Sequence, residues 1–313
     1  MAEKGTYEWS SRVGVVKIGA TKSEGGTRGK SYTIGGSSNI PFFSEKNPPR
    51  IALEICDDIA FWPGLLKDNL PDITADVSEW AKKGEMEWGA DLIRVYLTST
   101  KKKHFSDFPG IKKVIDEILS GTTLPLIIEG SDSPEIDSDV FLNCGEAGSG
   151  ERLLLGTAEA DRYRSVAAAA IAYNHAVIAQ SPIDINLAKQ LNILLRETGM
   201  PDNSIIIDSY TGALGYGFEY SYSTIERIRY AALKGDDDLA MPIISSAPDT
   251  LGVREVRESP PETKYETAIQ WEFGTALSSL VAGASIVCVR LPETIKLLKT
   301  AIIDLSSPSV EDI

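Results

Sequence analysis

Apolar residues in this chain gather into short, nearly unbroken runs rather than alternating with polar ones. Eight runs recur: Ile51 to Cys56, Leu92 to Leu97, Leu126 to Ile128, Leu153 to Leu155, Ala176 to Ala179, Ile205 to Ile207, Pro242 to Ile244 and Ser285 to Val289. Runs of this length and kind are expected of strands buried on both faces, as in a parallel sheet covered by helices. Between them the apolar spacing changes to three and four. Asp76 to Trp88 reads as a helix that stops at Gly89, a common C-terminal signal. Another follows Pro109, with Ile111, Val114, Ile115 and Ile118 facing inward. Ser133 to Ser149 reads as helical only in part. Arg162 to Tyr173 is an alanine-rich helix, and Ile185, Ala188, Leu191, Leu194 and Leu195 mark the next. Ile225, Ile228 and Ala232 share one face. A long helix from Tyr265 to Ala282 carries Tyr265, Ile269, Phe273, Ala276, Leu277 and Leu280 on one stripe, and a last one runs from Pro292 through Leu298 and Ile302 to a polar tail.

Eight strands alternating with helices predict an α/β fold, a closed (β/α)8 TIM barrel spanning residues 50–313. An open doubly wound sheet is the alternative, although no GxGxxG follows the first strand. Residues 1–49 do not form a barrel unit. Val13 to Ile18 and Ser31 to Ile34 are expected to form an N-terminal β-hairpin extension lying over one end of the barrel. The segments Gly25 to Gly29 and Gly35 to Ser38 have the composition to cradle an anion on backbone N–H groups. No lysine–serine or lysine–threonine pair follows either of them at P-loop spacing, so an ordinary loop is the simpler expectation.

Composition narrows the function. At 313 residues, 42% of them hydrophobic, the chain can bury one full core. Its formal net charge of −14 and pI near 4.7 argue against a nucleic-acid partner. No basic segment leads into an apolar stretch, and no run reaches 18 apolar residues, so neither a secretory leader nor a membrane span is expected. A cytoplasmic location follows. Cys56, Cys144 and Cys288 lie far apart; they cannot supply the four thiolates of an iron–sulfur cubane, and are expected to be buried, reduced thiols.

In a barrel the working surface lies at the C-terminal strand ends. Glu54, Asp57, Asp58, Glu129 and Asp208 fall there, as acid–base candidates or as ordinary loop and helix caps. Asp184 is placed to cap the helix that begins at Ile185. No serine–histidine–acid set can be assembled. His104 sits in a lysine-rich loop, and His175 enters a strand at the opposite end, where a structural role is expected. These residues describe a polar, glycine-lined binding or docking face better than a self-sufficient active site.

Several blocks carry a resemblance. Gly19-Ala20-Thr21-Lys22 with Gly25-Gly26-Thr27-Arg28, Leu153 to Glu159, Ser181 to Asn186 and Lys189 to Leu194 are four of them. Gly212 to Tyr220 and Ser223 to Arg229 are two more. Together they resemble the small subunit of the corrinoid iron–sulfur protein, also called the delta subunit of CO dehydrogenase/acetyl-CoA synthase. The likeness runs from about residue 12 to 300.

This resemblance implies a non-catalytic (β/α)8 subunit paired with a large corrinoid iron–sulfur subunit that carries the cluster. A corrinoid (cobamide) would be shared between them at the barrel top, its cobalt shuttling a methyl group in the reductive acetyl-CoA (Wood–Ljungdahl) pathway. A methyltetrahydrofolate methyltransferase would supply the methyl group, and acetyl-CoA synthase/CO dehydrogenase would accept it. The contacting face is then expected to include Thr98, Gly156, Thr157, Ser181, Asp184, Asp208, Gly212, Gly215 and Tyr216. Tyr216, Tyr220 and Tyr222 are expected either at the subunit interface or in the core. The alternative is a free-standing, pterin-dependent methyltransferase of the same barrel type, with Asp57, Asp208 and Asn186 on the pterin.

Overall fold

Every one of the eight apolar runs forms a strand. The computed structural model of the protein describes residues 9–39, 46–62, 64–102, 104–130 and 133–306. A hairpin of β1 (Val15–Ile18) and β2 (Tyr32–Gly35) comes first. The barrel strands are β3 (Arg50–Cys56), β4 (Leu92–Tyr96), β5 (Leu126–Glu129), β6 (Leu154–Ala158), β7 (Ala176–Gln180), β8 (Ile205–Asp208), β9 (Ile243–Ser246) and β10 (Ile286–Val289). They pair in parallel and close, β10 against β3, into a (β/α)8 barrel with an N-terminal hairpin. Strand β6 runs on past Leu155 through Gly156 and Thr157 to Ala158, with a cis peptide between Gly156 and Thr157.

The outer layer is α1 (Gly64–Asn69), α2 (Val77–Lys83), α3 (Phe108–Gly121), α4 (Pro134–Ala147), α5 (Tyr163–Tyr173), α6 (Ile185–Glu197), α7 (Phe218–Leu233), α8 (Arg254–Glu258), α9 (Pro261–Ala282) and α10 (Pro292–Ser306). A π-helical turn, Gly84–Trp88, carries α2 on to Gly89, which takes φ 74° as the expected stop. The polar tail and Pro63 lie outside the described residues. Among the described residues no helix is long and apolar enough to cross a membrane.

Two helices differ from expectation for the same reason. α4 is helical throughout, not in part. One of its inward positions is Asp137, buried and held at 2.7 Å by Arg162 Nη1, so the apolar pattern is diluted by an ion pair. α9 begins four residues early, at Pro261, where a first-turn proline is favourable. Its inward face carries Glu272, Thr275 and Ser279 beside Ala276 and Leu280; the expected Tyr265, Ile269, Phe273 and Leu277 are only half-buried. Hydroxyls on the barrel match this polar face. Ser245 Oγ donates to Ser279 Oγ at 2.8 Å, and Thr211 Oγ1 lies 2.8 Å from Ser245 Oγ.

Side chains alternate along a strand, so the barrel has two cores. Ala52, Leu92, Ile127, Leu154, Ile178, Ile206, Ile244 and Cys288 fill the inside, and a larger set packs between strands and helices. Val16, Ile18 and Ile34 of the hairpin join the inner set. Backbone bonds from Gly14 to Ala240, Gly19 to Arg152 and Gly29 to Thr123 fix the hairpin to segments that precede barrel strands. The hairpin therefore closes the N-terminal end.

The glycine loop after β1 does receive an anion, but one of the chain's own. Thr27 N–H lies 3.1 Å from both carboxylate oxygens of Glu151. Buried Arg28 donates its Nε to Glu151 at 2.8 Å, Nη1 to the Thr122 carbonyl at 2.7 Å and Nη2 to the Leu119 carbonyl at 2.8 Å. One guanidinium thus ties the loop to the C-terminus of α3. At Gly26 an added Cβ would lie 2.3 Å from the Ala20 carbonyl, so only glycine fits.

Glu151→Ala would leave the Arg28 charge buried without its counter-ion, at an expected loss of about 3 kcal/mol or more. Urea denaturation of the single variants and of Arg28→Met/Glu151→Ala measures this. The double variant should lose less than the sum of the two single losses; simple additivity would refute a coupled clamp.

Candidate functional site

Two residues beyond seven of the eight inner apolar positions, the same strand face turns polar; beyond Leu154 it carries Gly156. Ala52 is followed inward by Glu54, Leu92 by Arg94, Ile127 by Glu129 and Ile178 by Gln180. Ile206 leads to Asp208, Ile244 to Ser246 and Cys288 to Arg290. The C-terminal half of the barrel is therefore a charged interior. Arg94 is its hub: Nη1 lies 2.8 Å from Glu54 Oε2 and bonds Ser246 Oγ, while Nη2 pairs with Glu129. Arg290 closes on the other oxygen of Glu54 through Nε at 2.9 Å and Nη2 at 2.6 Å, with its guanidinium 3.8 Å from the ring centre of Trp62. Burial works against the charge of Arg94, yet the Glu54 carboxylate holds its pKa above the usual range.

Behind Arg290, Glu272 of α9 accepts the backbone N–H of Arg290 at 2.7 Å and that of Leu291 at 3.1 Å. Burial pushes this carboxyl up to about 7 in spite of those bonds. Burial likewise raises the Asp208 pKa, partly offset by Gln180 Nε2 at 2.9 Å, by Arg94 and by the Tyr210 N–H at 2.8 Å.

Above this floor opens a polar well of about 350 Å³, lined by five carboxylates and three guanidinium groups. Beside it, between the turn after β6 and the face of α6, lies an apolar groove of about 530 Å³. Glu159, Gln180 and Tyr210 line both. Tyr210 takes φ 63°, a left-handed turn that Asp208 closes by accepting its N–H, and so its ring stands at the boundary.

The nine expected contact residues do not form one surface. Asp208 lines the well and Ser181 the groove. Thr157 accepts from Arg162 Nη2 at 3.0 Å, which also reaches Glu159. Gly156 faces the barrel interior, where an added Cβ would meet Ile178 at 2.7 Å. Thr98 donates to the Asp58 carbonyl at 2.7 Å and to Asp57 at 3.1 Å. Asp184 caps α6 through the N–H groups of Asn186 and Leu187. Gly215 and Tyr216 lean the other way, against Trp271 of α9; Gly212 donates to Ser221 Oγ of α7, and Tyr216 to Glu255 Oε2 at 2.8 Å. Tyr216 and Tyr220 are exposed, and Tyr222 is half-buried against Phe218.

Arg94, Arg162, Arg290, Gln180 and Tyr210 were missed. The first four had a signal: Arg94 and Arg290 interrupt or end otherwise apolar strands, Gln180 ends another, and Arg162 follows Glu159 at helical spacing. Tyr210 had none, because its position depends on a left-handed turn. His175 lies, as expected, at the N-terminal end, buried, with Nδ1 accepting Leu153 N–H at 3.1 Å and Nε2 2.9 Å from the Gly145 carbonyl. Burial pushes its pKa down. His104 is exposed, and all three cysteines are buried and free.

Comparison with known proteins gives a consistent result. Residues 15–293 match the family model described as CO dehydrogenase/acetyl-CoA synthase delta subunit. The acetyl-CoA decarbonylase/synthase complex subunit delta of Methanosarcina mazei is 34% identical, over 93% of this chain and 70% of its own. Its counterpart from Methanothermobacter thermautotrophicus is 36% identical, over 93% and 75%. Among solved structures, dihydropteroate synthase from Stenotrophomonas maltophilia superposes with a TM-score of 0.59 at 18% identity, covering 83% of this chain and 94% of that one. The Xanthomonas albilineans enzyme with 7,8-dihydropteroate also gives 0.59, at 16% identity, covering 83% and 95%. At those identities the likeness is one of fold.

The buried carboxyl of Glu272 sets a direction for stability against pH. The folded protein keeps its proton up to about 7, whereas the unfolded chain releases it near 4.5. Between those values the folded state binds more protons, so this group's contribution falls as pH rises, by about 3 kcal/mol in all. Asp208 acts in the same direction. Glu272→Gln should flatten the decline of Tm from pH 4.5 to 8, whatever constant offset the lost N–H acceptor adds. An unchanged slope would refute the assignment.

Proposed function

The chain belongs to the CO dehydrogenase/acetyl-CoA synthase delta subunit family, and on that premise we propose that it is the non-catalytic small subunit of a corrinoid iron–sulfur methyl carrier in the reductive acetyl-CoA pathway. The observation that carries this reading is how the charges at the barrel mouth are used. Glu54, Glu129, Glu159 and Asp137 are each paired with a guanidinium of the same barrel. So paired, these four carboxylates are preorganised and are not free to act as a base, while Asp208 accepts instead from Gln180 Nε2 and the Tyr210 N–H. Next to it the groove presents an apolar wall and Ser181, whose Oγ is buried and has no hydrogen-bond partner.

A corrinoid fits that combination chemically, being a broad apolar ring edged with primary amides. Ser181 is available to an amide, Asp208 and Gln180 stand at the shared edge, and Leu187, Leu191 and Leu194 form the wall. When bound, the corrinoid supplies a cobalt centre that carries the methyl group. The chain's own part is to present a fixed surface and to exclude water from one side of the ring. Of the expected contacts, Ser181 and Asp208 are proposed to touch the cofactor; Thr98, Gly156, Thr157 and Asp184 hold the frame that presents them. The iron–sulfur cluster is assigned to a larger partner subunit, because the three cysteines here are dispersed and buried. A methyltetrahydrofolate methyltransferase and acetyl-CoA synthase/CO dehydrogenase are the expected donor and acceptor partners.

The free-standing pterin methyltransferase is disfavoured by its own residues. Asp57 is taken up by Thr98 and by the N–H and hydroxyl of Ser99, and Asn186 lies exposed in the first turn of α6. Only Asp208 of that set lines the well.

Purification of the native complex, with a cobalt assay and a visible spectrum, tests the proposal. A stoichiometric larger partner with about one cobalt and an iron–sulfur absorption per pair is expected. The chain alone should not turn over methyltetrahydrofolate with added cobalamin. A stable, colourless protein without partners would overturn the carrier reading, and turnover by the chain alone would establish the alternative.

A further inference from the structure

Glu272 is held differently from most buried carboxylates of the barrel. Glu54, Asp91, Asp137 and Glu151 each lie beside an arginine or lysine. Glu272, 0% exposed, turns both oxygens to backbone. Oε1 accepts the Arg290 N–H at 2.7 Å and Oε2 the Leu291 N–H at 3.1 Å. Those two N–H groups form the corner that leads from β10 into Pro292 of α10. Thr294 Oγ1, in the first turn of α10, lies beside the same carboxyl, buried and without a hydrogen-bond partner.

On the inner side of the corner the Arg290 guanidinium grips Glu54 and lies on the ring of Trp62. One residue is thus held by two carboxylates, its backbone from outside the barrel and its side chain from inside. Burial pushes the Glu272 pKa up to about 7, so its proton is gained or lost near neutrality. The two forms hold the corner differently. The ionised carboxylate takes both N–H groups in charge-assisted bonds, at the N-terminal end of α10 where negative charge is favoured. The protonated form keeps one good acceptor oxygen and turns the other into a donor. One of the two backbone bonds is then weakened.

The neighbouring charges leave this role to Glu272. Tyr265, two turns back on α9, donates to Glu293 of α10 at 2.9 Å. Arg254 of α8 pairs with Glu258, and the loop after β9 turns Asp249 to the well. Arg229 of α7 reaches this helix only at the Gly283 carbonyl beyond its end. The cation that acts on Glu272 is Arg290, with Glu54 of β3 and Arg94 of β4 beyond it.

We propose that Glu272 is a proton-operated latch on the β10–α10 corner: ionised, it clamps Arg290 from behind, and protonated, it releases the corner so that the guanidinium shifts against Glu54 and Trp62. The floor of the barrel mouth then responds to pH through a group that lies outside the well. The latch works whatever the mouth binds.

The test follows the carboxyl and Trp62 separately in the full chain. Carbon-13 NMR with labelled glutamate carboxyls gives the Glu272 titration, assigned by its loss in Glu272→Gln, with an expected midpoint of about 7. Tryptophan emission, taken as the difference between the chain and its Trp62→Phe variant, reports the guanidinium on the ring. The subtraction removes Trp271, which adjoins Glu272 in sequence. The Trp62 signal should change with the same midpoint as the carboxyl, and should be flat from about pH 5.5 to 8.5 in Glu272→Gln. Thr294→Val keeps both backbone bonds but removes a donor to the ionised form, and should move both midpoints up by about 0.5 to 1 unit. A Trp62 signal that ignores the carboxyl titration, or that persists in Glu272→Gln, would overturn the latch. Should Glu272→Gln fail to fold, unmoved midpoints in Thr294→Val overturn it instead.

Discussion

A guanidinium buried inside a parallel barrel has to be matched where it stands, and Arg94 is matched from three sides. Glu54 and Glu129 flank it from the neighbouring strands, and Ser246 reaches it from across the barrel. Glu54 in turn holds Arg290, whose backbone N–H is held by Glu272 of the outer layer. Removing any one member would strand a charge in a region of low dielectric, a far larger penalty than the net value of the pair. The chain of pairs therefore fixes the relative positions of β3, β4, β5, β9 and β10 at the end where the loops of the candidate site begin. Apolar packing closes the barrel; this network sets the shape of its mouth.

The same network explains what could and could not be seen in the amino-acid sequence. Strand positions were legible because a strand covered on both faces must be apolar almost throughout, and the eight runs satisfy that. The hairpin was legible because Val13 to Ile18 and Ser31 to Ile34 are too short and too close for a crossover. The charged floor was legible only in hindsight, since Glu54 and Arg94 each appear as a single polar residue inside an apolar run. Their common orientation emerges once the strand register is known. Helix α9 was misjudged in its facing for a related reason: Glu272, Thr275 and Ser279 look like a solvated stripe unless Arg290 and Ser245 are known to lie opposite. Where buried polar groups satisfy one another, hydrophobic periodicity points the wrong way.

The candidate contacts divide along similar lines. Residues chosen for lying at a strand end were correctly placed near the mouth, but the strand end alone did not say which way each pointed. Gly156 and Thr157 belong to β6, and both serve internal packing or the Arg162 pair. Gly212, Gly215 and Tyr216 fell on the far side of the β8–α7 loop, because Gly215 and Gly217 take positive φ and turn that loop over α9. Tyr210 entered the site through a left-handed backbone conformation that no apolar pattern signals. Loop handedness, more than strand prediction, limited the site.

The two ends of the barrel are thus finished by different means. The hairpin seals the N-terminal end with Val16, Ile18 and Ile34 and is locked by the Arg28–Glu151 pair. At the C-terminal end the charges compensate one another. A ligand finds there a rim of paired charges, the buried Asp208, an apolar wall on α6 and one unmatched hydroxyl. Such a surface can hold one face or one edge of a large molecule, but it cannot enclose it.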